Sequence, residues 1–120
     1  MFADMEGFTA WSSIRDPTSG KFDGLTRLQA KNTNSHRISL SVFHLLETVY
    51  LAFDEIADKQ GVFKVETVGD SYVAVCGCPE KRKDHAVVMA RFANDCSRRV
   101  GPVLSRLEVE LGPDTSSLNF

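Results

Sequence analysis

At 120 residues, with 42% hydrophobic and 25% charged side chains, the chain has room for one globular domain with a modest core and no more. A formal net charge of −2 argues against a broad nucleic-acid or anionic-lipid surface, and no apolar run approaches the roughly 20 residues that span a bilayer. No signal-peptide pattern is visible, and Cys76, Cys78 and Cys96, an odd count without zinc spacing, read as small buried hydrophobes in a reducing compartment.

The chain opens on a short apolar run that ends in Asp4, followed by the turn Met5-Glu6-Gly7-Phe8-Thr9. This run is shorter than the usual strand of about five or six residues, so it reads as a frayed, truncated first strand. Phe8, Trp11 and Ile14 recur at helical spacing and open a helix, with Trp11 as a packing residue. From about 16 to 41 the character changes. Asp16-Pro17-Thr18-Ser19-Gly20 is turn chemistry, residues 31–37 form a polar tract without periodicity, and Phe22, Leu25 and Leu28 suffice for one amphipathic turn. That stretch reads as an inserted flexible loop, because it has too little apolar surface to offset its ordering entropy.

Residues 42–60 carry the clearest helical stripe, Val42, Leu45, Leu46, Val49, Phe53, Ile56 and Ala57, and Gly61 suits its C-terminal end. Two runs rich in β-branched residues follow, 62–68 and 71–75, joined at Gly69-Asp70 as a tight hairpin of half-buried strands. Gly77-Cys78-Pro79 breaks the second strand, and Asp84 is placed to cap a helix that starts near His85. Here His85 has a capping or packing role, and Ala86, Met89, Ala90, Ala93 and Cys96 offer a small-residue face toward a sheet. Gly101-Pro102 should kink or end that helix, Val103, Leu104, Leu107 and Leu111 add a further turn or two, and Gly112-Pro113-Asp114 stops it. A polar tail, 115–120, follows, and its last residues begin another strand. The order is strand, helix, helix, strand, strand, helix, an α+β class. With a final strand it is the βαββαβ arrangement of ferredoxin-like palms, an antiparallel sheet with helices on one face.

A hairpin that needed only a turn would not require Glu66 within a strand as well as Asp70 at its start. Each alone reads as a solvated carboxylate, but Asp4 ends a second strand in the same way. Two strand-end aspartates on neighbouring strands can converge on one hard divalent cation, with water and phosphate oxygens completing its shell. The Met5-to-Thr9 turn would then aim backbone N–H groups at those phosphates.

Phe2-Ala3-Asp4-x-x-Gly7-Phe8-Thr9, followed in order by Lys64-Val65-Glu66-Thr67-Val68-Gly69-Asp70-Ser71-Tyr72, resembles the class III nucleotide cyclases, the adenylate and guanylate cyclase catalytic domain family. The likeness extends through residues 43–50 and 85–90. It implies conversion of GTP, favoured over ATP, to a 3′,5′-cyclic nucleotide and pyrophosphate. It also implies two Mg²⁺ or Mn²⁺ ions held by Asp4 and Asp70 with the Met5 carbonyl, outer phosphates cradled by Gly7, Phe8 and Thr9, and base recognition by Glu66. A second cyclase domain, as homo- or heterodimer, would share the site, in a protein on the cytoplasmic side whose full-length parent is compatible with a membrane anchor. The ribose and transition-state contacts of the family fall in a later half, so no complete catalytic set is expected here and the chain alone should be inactive. A noncatalytic cyclase-like regulatory module is the alternative, and retention of both aspartates weighs against it. The Gly-Gly-acidic hairpin of other palm enzymes is not matched by Val68-Gly69-Asp70.

Overall fold

A computed structural model describes residues 1–14 and 31–120. Its elements are β1 (Phe2–Asp4), α1 (Phe8–Ile14), α2 (Lys31–Gln60), β2 (Phe63–Val68), β3 (Ser71–Val75) and α3 (His85–Leu111). The strands form one antiparallel sheet in the order β1-β3-β2, the α+β arrangement expected. Central position explains the burial of β3: Tyr72, Val73 and Ala74 are buried, whereas the edge strand β2 stays largely exposed.

Both long helices cover one face. Phe53 of α2 meets the Tyr72 ring edge-on at 5.3 Å, and Phe92 of α3 lies 6.4 Å from it. The core joins Leu45, Val49, Phe53 and Ala57 from α2 to Val88, Phe92, Cys96, Val100, Leu104 and Leu107 from α3. On α2 the predicted stripe is the buried one. On α3 it is buried only in part: Cys96 lies in the core and Met89 packs against it, but Ala86, Ala90 and Ala93 are exposed, and the larger Val88, Phe92, Val100, Leu104 and Leu107 pack inward in their place. Greater apolar area decides which side of a helix is buried.

Four further expectations are corrected. First, α2 begins at Lys31, well before residue 42. Residues 31–60 contain neither Gly nor Pro, so once the helix is nucleated nothing local stops its extension. The part of the expected loop from 16 to 30 lies outside the described residues. Second, α3 runs unbroken through Gly101-Pro102. Gly101 has no Cβ to collide with the proline ring, and Pro102 is exposed, so the carbonyl it leaves unbonded faces water while Val100 and Leu104 stay anchored inside. Third, Asp84 occupies the helix-start position but makes no capping bond with its side chain. Its carboxylate is taken by Arg82, whose other guanidinium nitrogen donates to the Gln60 carbonyl at 2.9 Å and closes the end of α2. Fourth, of the cysteines only Cys96 is buried; Cys76 is partly exposed and Cys78 exposed.

The edge strand β2 also departs from half-burial. Val65 and Val68 are exposed, because a register shift between Lys64 and Glu66 interrupts the alternation and the sheet face away from the helices is bare. Residues 115–120 are docked. Thr115 and Leu118 are buried, Trp11 Nε1 donates to Thr115 Oγ1 at 3.2 Å, and Glu6 and Asn119 form one antiparallel bridge.

Phe53 touches Tyr72 and Phe120 and is fully buried, so Phe53→Ala leaves a void where sheet, helix and tail meet. The expected loss is roughly 3–5 kcal/mol of unfolding free energy. Urea unfolding followed by circular dichroism measures it, and a loss under about 1 kcal/mol would show that Phe53 is not central to the core.

Candidate active site

The corner where β1 ends and the β2–β3 hairpin turns is built from short-range rules. Val68 pairs with Ser71, leaving Gly69 and Asp70 as a two-residue loop. Gly69 has φ +61° and Asp70 is not in the left-handed region, which fits a turn with glycine at its first central position. Asp4 stands opposite Ser71 in the β1–β3 register, so one sheet corner carries Asp4 and, one residue before Ser71, Asp70.

Ser71 Oγ donates to Asp4 Oδ1 at 2.7 Å and orients that carboxylate. The Tyr50 hydroxyl, reaching across from α2, donates to the Gly69 carbonyl at 3.0 Å. Burial first, then the charges of Asp70 and Asp4, push the Tyr50 phenol up to about 12. With its proton held this firmly, the Tyr50 hydroxyl remains a neutral donor to Gly69. Among the described residues, no cluster of three or more His, Cys, Asp or Glu side chains forms a ready metal cage.

The following turn starts α1. Gly7 adopts φ +83°, where an L side chain would be strained, and its carbonyl accepts from Trp11 N–H at 2.9 Å. Met5 has a buried side chain, and its carbonyl accepts from Phe8 N–H at 3.3 Å, so the Phe8 amide is engaged within the turn. Phe8 is partly buried and stacks on Trp11, while Thr9 is exposed.

Glu66 stands apart from this corner, opposite Val73 and beside the register shift. Tyr72 and Ala74 point to the helices, so Ser71, Val73 and their cross-strand partners Asp4, Phe2, Val68 and Glu66 belong to the other face. That face is open and apolar around its acids: Phe2 is 82%, Val68 58% and Phe63 55% exposed.

Three contributors escaped the sequence reading. Ser71 and Tyr50 hold the corner, and Asp54 accepts from Tyr72 Oη at 2.7 Å and from Lys64 Nζ at 2.8 Å, fastening the hairpin to α2. The Lys64 ammonium lies 5.3 Å from the Tyr72 ring centre. Tyr50 adjoins the α2 stripe with a polar tip, and that tip was the available signal.

Residues 1–103 match the family described as the adenylate and guanylate cyclase catalytic domain. A receptor-type guanylate cyclase of Caenorhabditis elegans is 37% identical over 92 residues, 77% of this chain and 6% of that protein. Among solved structures, the guanylate cyclase domain of RhGC from Catenaria anguillulae in complex with GTP is similar with a TM-score of 0.58 and 33% identity, over 82% of this chain and 42% of that one. A non-canonical dimeric guanylyl cyclase domain of the RhoGC fusion protein from Blastocladiella emersonii gives a TM-score of 0.59 and 30% identity, over 82% of this chain and 43% of that one. The chain therefore spans less than half the length of these solved domains.

Tyr50 and Tyr72 are the two tyrosines of the chain, and burial raises both phenols, Tyr72 further through its bond to Asp54. Cys96 is likewise pushed up to about 12 by burial. Each group keeps its proton more firmly folded than unfolded, so its contribution to stability is whole below the ordinary values, 9.0 for the thiol and 10.0 for the phenols, and is lost as pH rises toward 12. Phenolate absorbance of the folded chain should stay flat through pH 10 and rise only with alkaline unfolding. A half-rise near pH 10 would place a tyrosine in open solvent.

Proposed function

The chain belongs to the adenylate and guanylate cyclase catalytic domain family, and from that membership we propose that it is part of a catalytic domain that converts GTP to 3′,5′-cyclic GMP and pyrophosphate. The observation that carries this reading is the pair Asp4 and Asp70 at one sheet corner, Asp4 opposite Ser71 in the β1–β3 register and Asp70 one residue before it.

Carboxylate oxygens at the end of β1 and in the β2–β3 turn, with the Met5 carbonyl next in sequence after Asp4, are hard donors of the kind Mg²⁺ and Mn²⁺ prefer. The donor set fits two such ions, with Asp4 and Asp70 as their protein ligands. Held there by Asp4 and Asp70, such ions would supply a lowered pKa at the ribose 3′-hydroxyl and positive charge against the leaving pyrophosphate. The chain's own part is positional. Ser71 keeps the Asp4 carboxylate turned toward the corner, as outer-shell partners do. The turn at Gly7, Phe8 and Thr9, immediately after Asp4, holds the outer phosphates. The 3′-oxygen bonds to the α-phosphorus, the α–β bridging oxygen departs with pyrophosphate, and the 3′-proton is lost to solvent or base.

Glu66 selects the base. Its carboxylate accepts from guanine N1–H and the exocyclic N2 amine, whereas adenine presents an acceptor at N1 and would be repelled. A second cyclase domain covers the open face bearing Phe2, Asp4 and Glu66 and supplies its share of the site. Ribose and transition-state contacts come from sequence beyond these residues, so the chain alone makes no cyclic nucleotide. We place the activity on the intracellular side, where nucleoside triphosphates are held. No helix among the described residues is long and apolar enough to cross a membrane.

In a catalytic domain completed around this chain, Asp70→Ala should lower kcat by roughly a hundredfold or more with the far-ultraviolet dichroism unchanged. Retained activity would remove Asp70 from the machinery. Glu66→Lys should move the GTP-to-ATP ratio of kcat/KM toward ATP by at least about tenfold. An unmoved ratio would make Glu66 a solvated edge-strand acid.

A further inference from the structure

The hairpin turn that carries Asp70 has little else to hold it. Gly69 is exposed, a Cβ built there would meet no atom within 4 Å, and Val68 beside it is more than half exposed. Glycine at positive φ is also the loosest residue a chain can place at a turn. Against this, Tyr50 is anchored. Its side chain is buried, its backbone belongs to the long helix α2, and its ring lies 5.6 Å from the Tyr72 ring.

Resting on the metal reading above, we propose that Tyr50 is a positioning residue for the carboxylate pair: its hydroxyl, bonded to the Gly69 carbonyl, sets where Asp70 stands relative to Asp4. Asp4 already has its own guide in Ser71 Oγ. Asp70 is reached through the turn, and the turn is tied to the helical layer by Tyr50. Two carboxylates on separate strands bind one cation cluster well only when their spacing is held to a fraction of an ångström. A phenol suits the task because it adds a donor without adding a charge that would compete with the cation. Ring packing and hydroxyl bonding are separable, since phenylalanine would keep the first and lose the second.

The test uses the full chain and Mn²⁺ alone, with free Mn²⁺ followed by electron paramagnetic resonance. Tyr50→Phe should bind Mn²⁺ roughly tenfold more weakly than the unaltered chain. In the metal-free protein, the amides of Gly69, Asp70 and Ser71 should exchange faster in Tyr50→Phe, while those of the α3 interior keep their rates. Asp70→Asn should abolish the binding. Val88→Ala, a cavity near the start of α3, which lies beside Gly77 beyond the end of β3 opposite Ser71, should lower Tm yet leave Mn²⁺ affinity unchanged, separating positioning from general stability. Faster turn exchange with unchanged affinity, or weaker binding with unchanged exchange, would overturn the assignment to Tyr50 while leaving the metal reading intact. Failure of the unaltered chain to bind Mn²⁺, or equal binding by Asp70→Asn, would overturn the metal reading and this proposal together.

Discussion

The Tyr72 hydroxyl donates to Asp54 at 2.7 Å while its ring lies against Phe53, Tyr50 and Phe92, and this one side chain decides how the sheet lies on the helices. A tyrosine in the centre of a core must find a partner for its oxygen or forfeit a hydrogen bond. Asp54 supplies one at the point where α2 crosses the sheet, and Lys64 from β2 neutralises the same carboxylate. Both partners of that ion pair are about one-third exposed, so its worth lies in direction more than in raw Coulomb energy. Three elements are registered by it, and the corner bearing Asp4 and Asp70 inherits their alignment.

The sheet then has two unlike faces. Toward the helices it is dry and aromatic. Away from them it sets carboxylates among exposed Phe2, Phe63 and Val68. Acids on such a surface would bind a cation with few competing protein donors, and the surrounding apolar area would gain from being covered. On the function proposed above, metal binding and association would draw on the same surface, with residues useful to one intermixed with residues useful to the other.

What the sequence made legible was whatever is encoded locally. The α2 stripe from Val42 to Ala57, the Gly69-Asp70 loop, the start of α1 at Phe8 and the stop at Gly112 each depend on neighbours within a few residues, and each stands where its pattern indicated. Strand-end aspartates were visible for the same reason. Misjudged features depend on partners far along the chain. Asp84 has every mark of a cap, but Arg82 claims its carboxylate. Pro102 marks a break only when the helix around it lacks anchors, and Val100 and Leu104 provide them. Tyr50 could be seen as a helix residue, but its bond to Gly69 joins residues 19 apart and has no signature in spacing.

The docked tail has a consequence for the order in which the molecule is assembled. Trp11 closes onto Thr115, 104 positions further along, and Glu6 pairs with Asn119. A nascent polypeptide emerges at about 5–20 residues per second, so the Met5-to-Trp11 turn must wait for residues 115–119 before its covering segment exists. Closure of so long a loop costs entropy before its contacts repay any of it, which makes it a late event in folding. Residues 5–11, and with them the corner around Asp4, would then settle only after residues 115–119 have joined them.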